Sequence, residues 1–335
     1  MTGTEHGGYA VRTTGLRKTF TLKHETVDAV RGIDLSVATG EIYGFLGPNG
    51  AGKTSTLRML TTLLPIDAGE AFVAGVDVRR QPRAVRRRIG YVGQLGGADL
   101  PASGRENLLL QGRLYGMSET QARTRAAELI ALLELSGCAD RLVQTYSGGQ
   151  RRRLEVALGI MHRPDVLFLD EPTTGLDPQN RANLWAQLRE LRTRGTTIFL
   201  TTHSLEEADA LADRVGIIDH GRLVAEGSPR ELKRRLAGDA VSIKPKSAEP
   251  KLEDLRRQLA LEPFVSDARL EGGTIRLYVD DGATALPMIF DRLRRDGVEL
   301  EFVQLAEPSL DDVFLFQTGR SLRDAERPHA DGVAA

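Results

Sequence analysis

An α/β domain with a mainly parallel sheet, followed by a smaller α+β domain, is the fold class this sequence predicts. Three observations carry the prediction. Short apolar runs alternate with helix-period segments between residues 41 and 219, the pattern of strands joined by crossover helices. The run Glu41-Ile42-Tyr43-Gly44-Phe45-Leu46 ends at a glycine-rich turn, and a helix-period segment follows the turn. Beyond Gly238 the composition shifts, and the expected order becomes strand, helix, strand, strand, helix, strand. That βαββαβ order is the ferredoxin-like arrangement.

Residues 9–46 read as strands, with apolar and polar residues alternating over 29–37. Leu57, Leu60, Leu63 and Leu64 fall on one face of a helix over 55–64. Short strands are expected at 70–73 and 89–92, around an Arg-rich connector, and helices at 106–114, 119–135 and 147–162. Val166-Leu167-Phe168-Leu169 suits a strand buried on both faces. A helix at 181–193, a strand at 196–201, a helix at 205–212 and a strand at 214–219 complete a first domain spanning 9–235. The second domain, 239–318, takes strands at 240–244, 265–270, 274–279 and 300–305, with helices at 251–261 and 284–296. Glu271-Gly272-Gly273 separates its middle strands as a hairpin turn. A short segment at 309–318 follows, and the polar, Ala-rich 319–335 is expected to be disordered.

Composition narrows the function classes. The 335 residues suffice for a sizeable core, and 41% hydrophobic with 27% charged residues is ordinary for a globular chain. A net charge of -1 supplies no field that would draw the molecule to nucleic acid. Cys138 is the one cysteine, which excludes an intramolecular disulfide and a cysteine zinc site; it reads as a small semi-buried residue. Residues 1–8 are polar, unlike a secretory signal. No apolar run reaches the roughly 18 residues of a membrane span. The expectation is a cytoplasmic chain that a partner holds at a membrane. Arg86-Arg87-Arg88 and Arg151-Arg152-Arg153 read as solvated helix faces or strand-edge charges. Without interleaved aromatics they do not suggest a nucleic-acid surface.

The glycine-rich turn, Gly47-Pro48-Asn49-Gly50-Ala51-Gly52-Lys53-Thr54, fits G-x-x-x-x-G-K-[ST]. In that motif backbone N–H groups turn inward around a β-phosphate, the lysine reaches the β- and γ-phosphates, and the Thr hydroxyl binds Mg²⁺. Ser55 begins the helix whose positive end adds to the cradle. Lys53 is one of seven lysines in an arginine-rich chain, so its place in this turn stands out. Mg²⁺ in such sites needs an acid at the end of a buried strand. Asp170 is placed for that, through water, and Glu171 is placed to take a proton from an attacking water. Ser147-Gly148-Gly149-Gln150, just before a helix, offers a second anion site at a helix N-terminus.

These elements occur in a telling order. Tyr146-Ser147-Gly148-Gly149-Gln150 precedes Leu169-Asp170-Glu171-Pro172, then Gly175-Leu176-Asp177, then His203. The chain from Leu16 to Pro229 thereby resembles the ATP-binding cassette (ABC) family. The resemblance implies a RecA-like parallel-sheet core, an antiparallel β subdomain and an α-helical signature subdomain at about 95–162. It implies ATP and Mg²⁺ as cofactors, and a head-to-tail homodimer that sandwiches two ATP molecules. Ser147 of one copy would meet the γ-phosphate held by Lys53 of the other. Phe20, 33 residues before Lys53, matches the aromatic that stacks on adenine, usually Tyr in the family. Gln94 matches the glutamine that touches Mg²⁺ and the water. Asp177 matches the loop crossing the dimer interface, and His203 the histidine that contacts the γ-phosphate. Tyr146 stands where the family's signature usually has Leu, and Gly93 where Pro is frequent.

Glu307-Pro308-Ser309-Leu310-Asp311-Asp312-Val313-Phe314 and Ser103-Gly104-Arg105-Glu106-Asn107-Leu108 are similar to the daunorubicin-resistance-type branch of drug-export ATPases. That branch implies a separate ABC-2-type membrane permease, which would dock near residues 95–117 and carry the cargo specificity. Export of a lipid or polysaccharide is the alternative. An importer ATPase, and a soluble ATPase acting on ribosomes or DNA, are the more distant readings. The second domain shows no catalytic cluster and reads as a packing or dimer-stabilising module.

Overall fold

Strands form where short β-branched and aromatic runs are buried on both faces, and helices where Ser, Asp or Pro marks a start. The computed structural model describes residues 8–22, 25–235, 238–246, 249–306, 308–319 and 321–322. The elements begin with β1 (Tyr9–Leu22), β2 (Glu25–Ala38), β3 (Ile42–Leu46), α1 (Lys53–Leu60), β4 (Ala68–Val73) and β5 (Val76–Asp77). Next come α2 (Pro82–Arg88), β6 (Ile89–Val92), α3 (Gly104–Leu114), α4 (Glu119–Leu132), α5 (Gly148–Gly159) and β7 (Val166–Asp170). Then follow α6 (Pro178–Thr193), β8 (Thr197–Thr202), α7 (Leu205–Leu211), β9 (Arg214–Asp219) and β10 (Arg222–Gly227). The rest are α8 (Pro229–Arg235), β11 (Asp239–Pro245), α9 (Glu249–Leu259), β12 (Val265–Glu271), β13 (Thr274–Val279), α10 (Gly282–Arg295), β14 (Leu300–Ala306) and α11 (Leu310–Thr318).

Contacts divide the chain into two units, the first ending at Ser228 and the second beginning at Pro229. The six-stranded sheet of the first unit has the order β10-β9-β3-β8-β7-β6. Its strands pair in parallel except β10, which returns antiparallel to β9. A separate antiparallel sheet has the order β2-β1-β4-β5. Side chains of β7 point alternately into two cores. Leu167 and Leu169 join Leu154, Leu184 and Leu188 of the helices, whereas Val166 and Phe168 join Leu57, Leu60 and Val11 of α1 and the antiparallel sheet. Each such buried Leu or Phe contributes roughly 1.5–3 kcal/mol. Phe199 anchors the second core, its ring centroid 5.4 Å from Tyr43 and 5.6 Å from Phe168. Among the described residues no helix is long and apolar enough to cross a membrane.

Several readings differ from the structure in detail. The Arg-rich connector is helix α2, which Pro82 opens in the first turn. β10 follows a tight turn at His220 and Gly221, both at positive φ (44° and 77°), the chemistry of a two-residue hairpin. α6 starts at Pro178 rather than 181, because Asp177 caps it. α8 packs against α11 and belongs to the second unit.

The second unit runs β11-α9-β12-β13-α10-β14, with an antiparallel sheet of order β12-β13-β11-β14. Val241, Ile243, Ile275 and Leu277 meet Leu255, Leu259, Ile289 and Leu293 of α9 and α10. Asp312 of α11 is 1% exposed and accepts from Tyr278 Oη (2.5 Å) and Arg276 Nη2 (2.8 Å). The expected disorder of 319–335 does not hold at its start, where Gly319 caps α11 at φ 78° and Ser321 and Leu322 are buried; residues 320 and 323–335, like Glu307, lie outside the described residues.

Candidate active site

Four parallel strands, β3, β8, β7 and β6, end at one rim of the sheet, where α/β folds bind ligands. Phe45 is level with Thr201, and Thr201 with Asp170. The register therefore brings together the loop after Leu46, the acids at 170 and 171, and His203.

The glycines of the first loop are required by geometry. Gly52 has φ 105°, and a Cβ on it would run into the carbonyl of Ala29; one on Gly47 would strike the carbonyl of Ile218. The loop is tied down by Gly47 N donating to Thr202 O (3.2 Å) and Ala51 N to Pro48 O (3.2 Å). Asn49 and Gly50 are exposed, and Thr54 and Ser55 are half-buried at the start of α1. Lys53 is buried; its Nζ donates to Gly47 O (2.7 Å) and Pro48 O (3.0 Å) and lies 3.7 Å from Glu171 Oε1.

Asp170 is 1% exposed, and its Oδ1 accepts from Thr201 Oγ1 (2.6 Å) and Thr54 Oγ1 (3.2 Å). Glu171 sits in the left-handed region at φ 47°, a conformation that costs a non-glycine residue roughly 1–3 kcal/mol. Its N–H donates to Thr201 O and Thr201 Oγ1, both at 3.1 Å. Its Oε2 accepts from Thr174 Oγ1 (3.3 Å) and stands 3.3 Å from His203 Nδ1. The His203 ring holds the Glu171 carboxyl below the usual carboxylate range; burial opposes this, and the Lys53 charge reinforces it. The result is a carboxylate that stays ionised beside two basic groups.

A second group of residues gathers at the start of α5. Ser147 caps the helix: its Oγ accepts from Gln150 N (3.2 Å), and Gln150 Oε1 accepts from Ser147 N (3.1 Å). That reciprocal box uses one lone pair of the serine hydroxyl. Gly148 is exposed, while Gly149 is packed against the Asn180 side chain. Asn180 donates to both oxygens of Asp177, through its N (2.9 Å) and Nδ2 (2.6 Å). Those bonds hold the Asp177 carboxyl below its usual range. Tyr146 is buried, donates to Cys138 O (2.7 Å), and has its phenol pushed up to about 12 by burial. It anchors the turn by this bond, and Cys138 is fully inside.

Two more predicted residues stand apart. Phe20 is half-buried on β1, with Lys18 Nζ 5.5 Å from its ring centroid; Lys18 pairs with Asp67 at 2.7 Å. Gln94 is exposed, one residue beyond Gly93 at the end of β6. It lines a cleft of about 560 Å³ together with Arg58, Tyr91, Leu95, Gln111 and Tyr115.

One expectation is overturned. Arg152 is not on a solvated face: it is 8% exposed and donates to Gly93 O, Asp170 O, Pro172 O and Glu155 Oε2. Its spacing three residues after Gly149 and four before Val156, both buried, is the signal that marks the inner face of α5. Thr201 and Thr174, which support Asp170 and Glu171, were also not singled out by the sequence; Thr201 lies directly before the Thr202-His203 pair.

Comparisons with known proteins agree with this geometry. The ABC transporter family model matches residues 30–174, and a model of the C-terminal domain of DrrA1-3-like ATP-binding proteins matches 227–318. The chain is 43% identical to the daunorubicin resistance ATP-binding protein DrrA2 of Streptomyces coeruleorubidus, over 96% of this chain and 99% of that one. It is 45% identical to the daunorubicin/doxorubicin resistance ATP-binding protein DrrA of Streptomyces peucetius, over 96% of each. The Nod factor export ATP-binding protein I of Paraburkholderia xenovorans is 43% identical, covering 88% of this chain and 93% of that one. Among solved structures, the dimeric ATP-binding cassette MJ0796 bound to ADP and Pi is similar, with a TM-score of 0.60 and 25% identity over 65% of this chain and 98% of that one. With near-full-length identity of this order and the cassette fold in hand, the chain belongs to the ABC transporter family and is one of its ATPases.

Proposed function

We propose that this chain is the ATP-hydrolysing subunit of an exporter that moves a drug or antibiotic outward through a separate ABC-2-type permease. The observation that carries the reading is the cluster in which Lys53 and His203 both face the Glu171 carboxylate, beside Thr54 and Asp170. In this reading residues 47–55 cradle the phosphates, and Phe20 stacks on adenine. Glu171 accepts the proton of the water that attacks the γ-phosphorus. His203 contacts the γ-phosphate, and Gln94 orients the water.

Thr54 Oγ1 lies 3.2 Å from Asp170 Oδ1, and these hard oxygens suit Mg²⁺, the Thr54 hydroxyl as a direct ligand and Asp170 through water, with Gln94 and phosphate oxygens completing the shell. When bound, that ion neutralises charge on the transferred phosphoryl group. Ser147, Gly148, Gly149, Gln150 and Asp177 complete the site of a second copy, head to tail. The serine's cap leaves its O–H available for that second role. ATP then bridges two copies, and hydrolysis removes the bridge, shifting closed and open populations.

The cleft beside Gln94 and the exposed Leu95, Leu110 and Leu114 support permease docking over residues 95–117, on the cytoplasmic face of the membrane. The second unit then serves as a packing and assembly module. Drug export is preferred because relatives at 43–45% identity are drug-resistance proteins over nearly the full chain. A lipid-like or saccharide cargo is the second reading, favoured by the Nod factor exporters at 43%.

The test is Glu171→Gln. Turnover should fall by about 10²–10⁴-fold with ATP binding retained, and cells expressing the chain with its permease should lose resistance to an anthracycline. Unchanged turnover overturns the hydrolytic reading; full turnover without drug resistance turns the cargo toward lipid or saccharide.

A further inference from the structure

The cleft beside Gln94 and the carboxylate of Glu171 belong to different loops, yet one buried side chain grips the backbone of both. Arg152 Nη1 donates to Gly93 O (2.7 Å), directly before Gln94. Its Nη2 donates to Asp170 O (3.1 Å) and its Nε to Pro172 O (2.8 Å), the carbonyls on either side of Glu171. Nη1 also pairs with Glu155 Oε2 at 2.9 Å, three residues along α5. Glu155 is itself 9% exposed, lines the cleft, and occupies the space a Cβ on Gly96 would need. Gly90 and Gly159 make this reach possible, since a Cβ on Gly90 would run into the carbonyl of Gly159.

A buried guanidinium needs one carboxylate to balance its charge, and Glu155 supplies it. The three main-chain carbonyls are more than that balance demands. They use the planar fork of donors that only arginine offers. Two of them bracket the one acidic residue of the site that sits at positive φ, and strained residues persist only where their surroundings over-determine them. The other is the loop that lines the cleft.

We infer that Arg152, balanced by Glu155, is a positioning residue. It holds Glu171 in its left-handed conformation and ties that conformation to the loop at 93–97, so that an occupant of the cleft and the hydrolytic carboxylate report on each other. This rests on the reading of Glu171 as the proton acceptor.

The test uses the full chain with two variants. Arg152→Lys keeps the charge pair but loses the fork. Arg152→Met combined with Glu155→Gln removes both buried charges, so no unpaired charge is left to unfold the protein. Both variants should still unfold cooperatively, at a lower Tm because buried carbonyls lose their donor, and should keep a KM for ATP within about twofold, with kcat lowered about tenfold to a hundredfold. Hydrogen–deuterium exchange should accelerate in peptides covering 91–97 and 168–176 together, with β8 unchanged. If kcat matches wild type in the double variant, or exchange accelerates in neither segment, Arg152 is packing alone and the inference is wrong. Equal turnover by wild type and Glu171→Gln would remove the role of Glu171, whereas the exchange measurement would still decide whether the clamp exists.

Discussion

His203 Nδ1 stands 3.3 Å from Glu171 Oε2, while Lys53 Nζ stands 3.7 Å from Oε1 of the same carboxylate. Three loops, each from a different strand end, thus set the acidity of one carboxyl group. Its folded-state pKa is depressed, first by His203 and then, against the effect of burial, by Lys53. A depressed carboxyl contributes stability that is present above its unfolded pKa and is lost as pH falls through the folded value.

His203→Ala removes the largest of the influences that keep Glu171 ionised. The carboxyl then titrates at higher pH, and the acid limb of the kcat/KM profile moves up with it. A pH–rate profile of the variant checks this. An acid limb that stays in place would show that the His203–Glu171 contact has no bearing on the acidity of the base.

Ser147 lets its two roles be separated. Ser147→Ala removes the cap and should cost about 1 kcal/mol of stability. Ser147→Asp keeps a good cap but presents a carboxylate where a phosphate is expected. It should unfold within about 0.5 kcal/mol of wild type and yet lose turnover. Retained turnover in the aspartate variant would confine Ser147 to capping its helix.

The phosphate loop predicts an ordering of glycine substitutions. Gly50 is at φ 80° with open space at its Cβ position, whereas Gly52 is at φ 105° against the Ala29 carbonyl. Gly50→Ala should cost about 1–2 kcal/mol, the left-handed penalty alone. Gly52→Ala adds a backbone clash and should cost more, with ATP binding lost. Thermal unfolding and nucleotide titration of the two variants would reveal any reversal of that order.

Asp312 is 1% exposed and bound by Tyr278 and Arg276. Asp312→Ala leaves a guanidinium and a phenol without their acceptor, and should destabilise the protein by about 3 kcal/mol. Tyr278→Phe in the same background should cost little more, because the two groups share one bond. Urea unfolding of the single and double variants measures that coupling, and additive losses would contradict it.

Much of the site was legible because its chemistry is local. A strand, six residues of glycine-rich loop (47–52) and a lysine lie side by side in the chain, and apolar runs such as 166–169 mark strands buried on both faces. Arg152 was misread because a run of three arginines has the composition of a solvated face. The packing of α5 against β6 buries Arg152, and its neighbour Arg153 is largely covered as well, 12% exposed beside Glu134. Thr201 was passed over because its partner, Asp170, is adjacent across the sheet and not along the chain. β10 and α2 escaped because their signals, His220-Gly221 and Pro82, are single turn and start residues without a periodic stretch. Ser147 shows the converse case, a residue read for its anion site whose first visible task is to start a helix.

The register that sets Phe45, Thr201 and Asp170 at one level also bears on how the molecule assembles. These three positions lie far apart in sequence, and parallel pairings of that kind close large loops before any contact rewards them. The central strands must all join before Thr54 can meet Asp170. During refolding, nucleotide affinity should therefore emerge late and all at once, which makes bound ATP a reporter of the finished sheet.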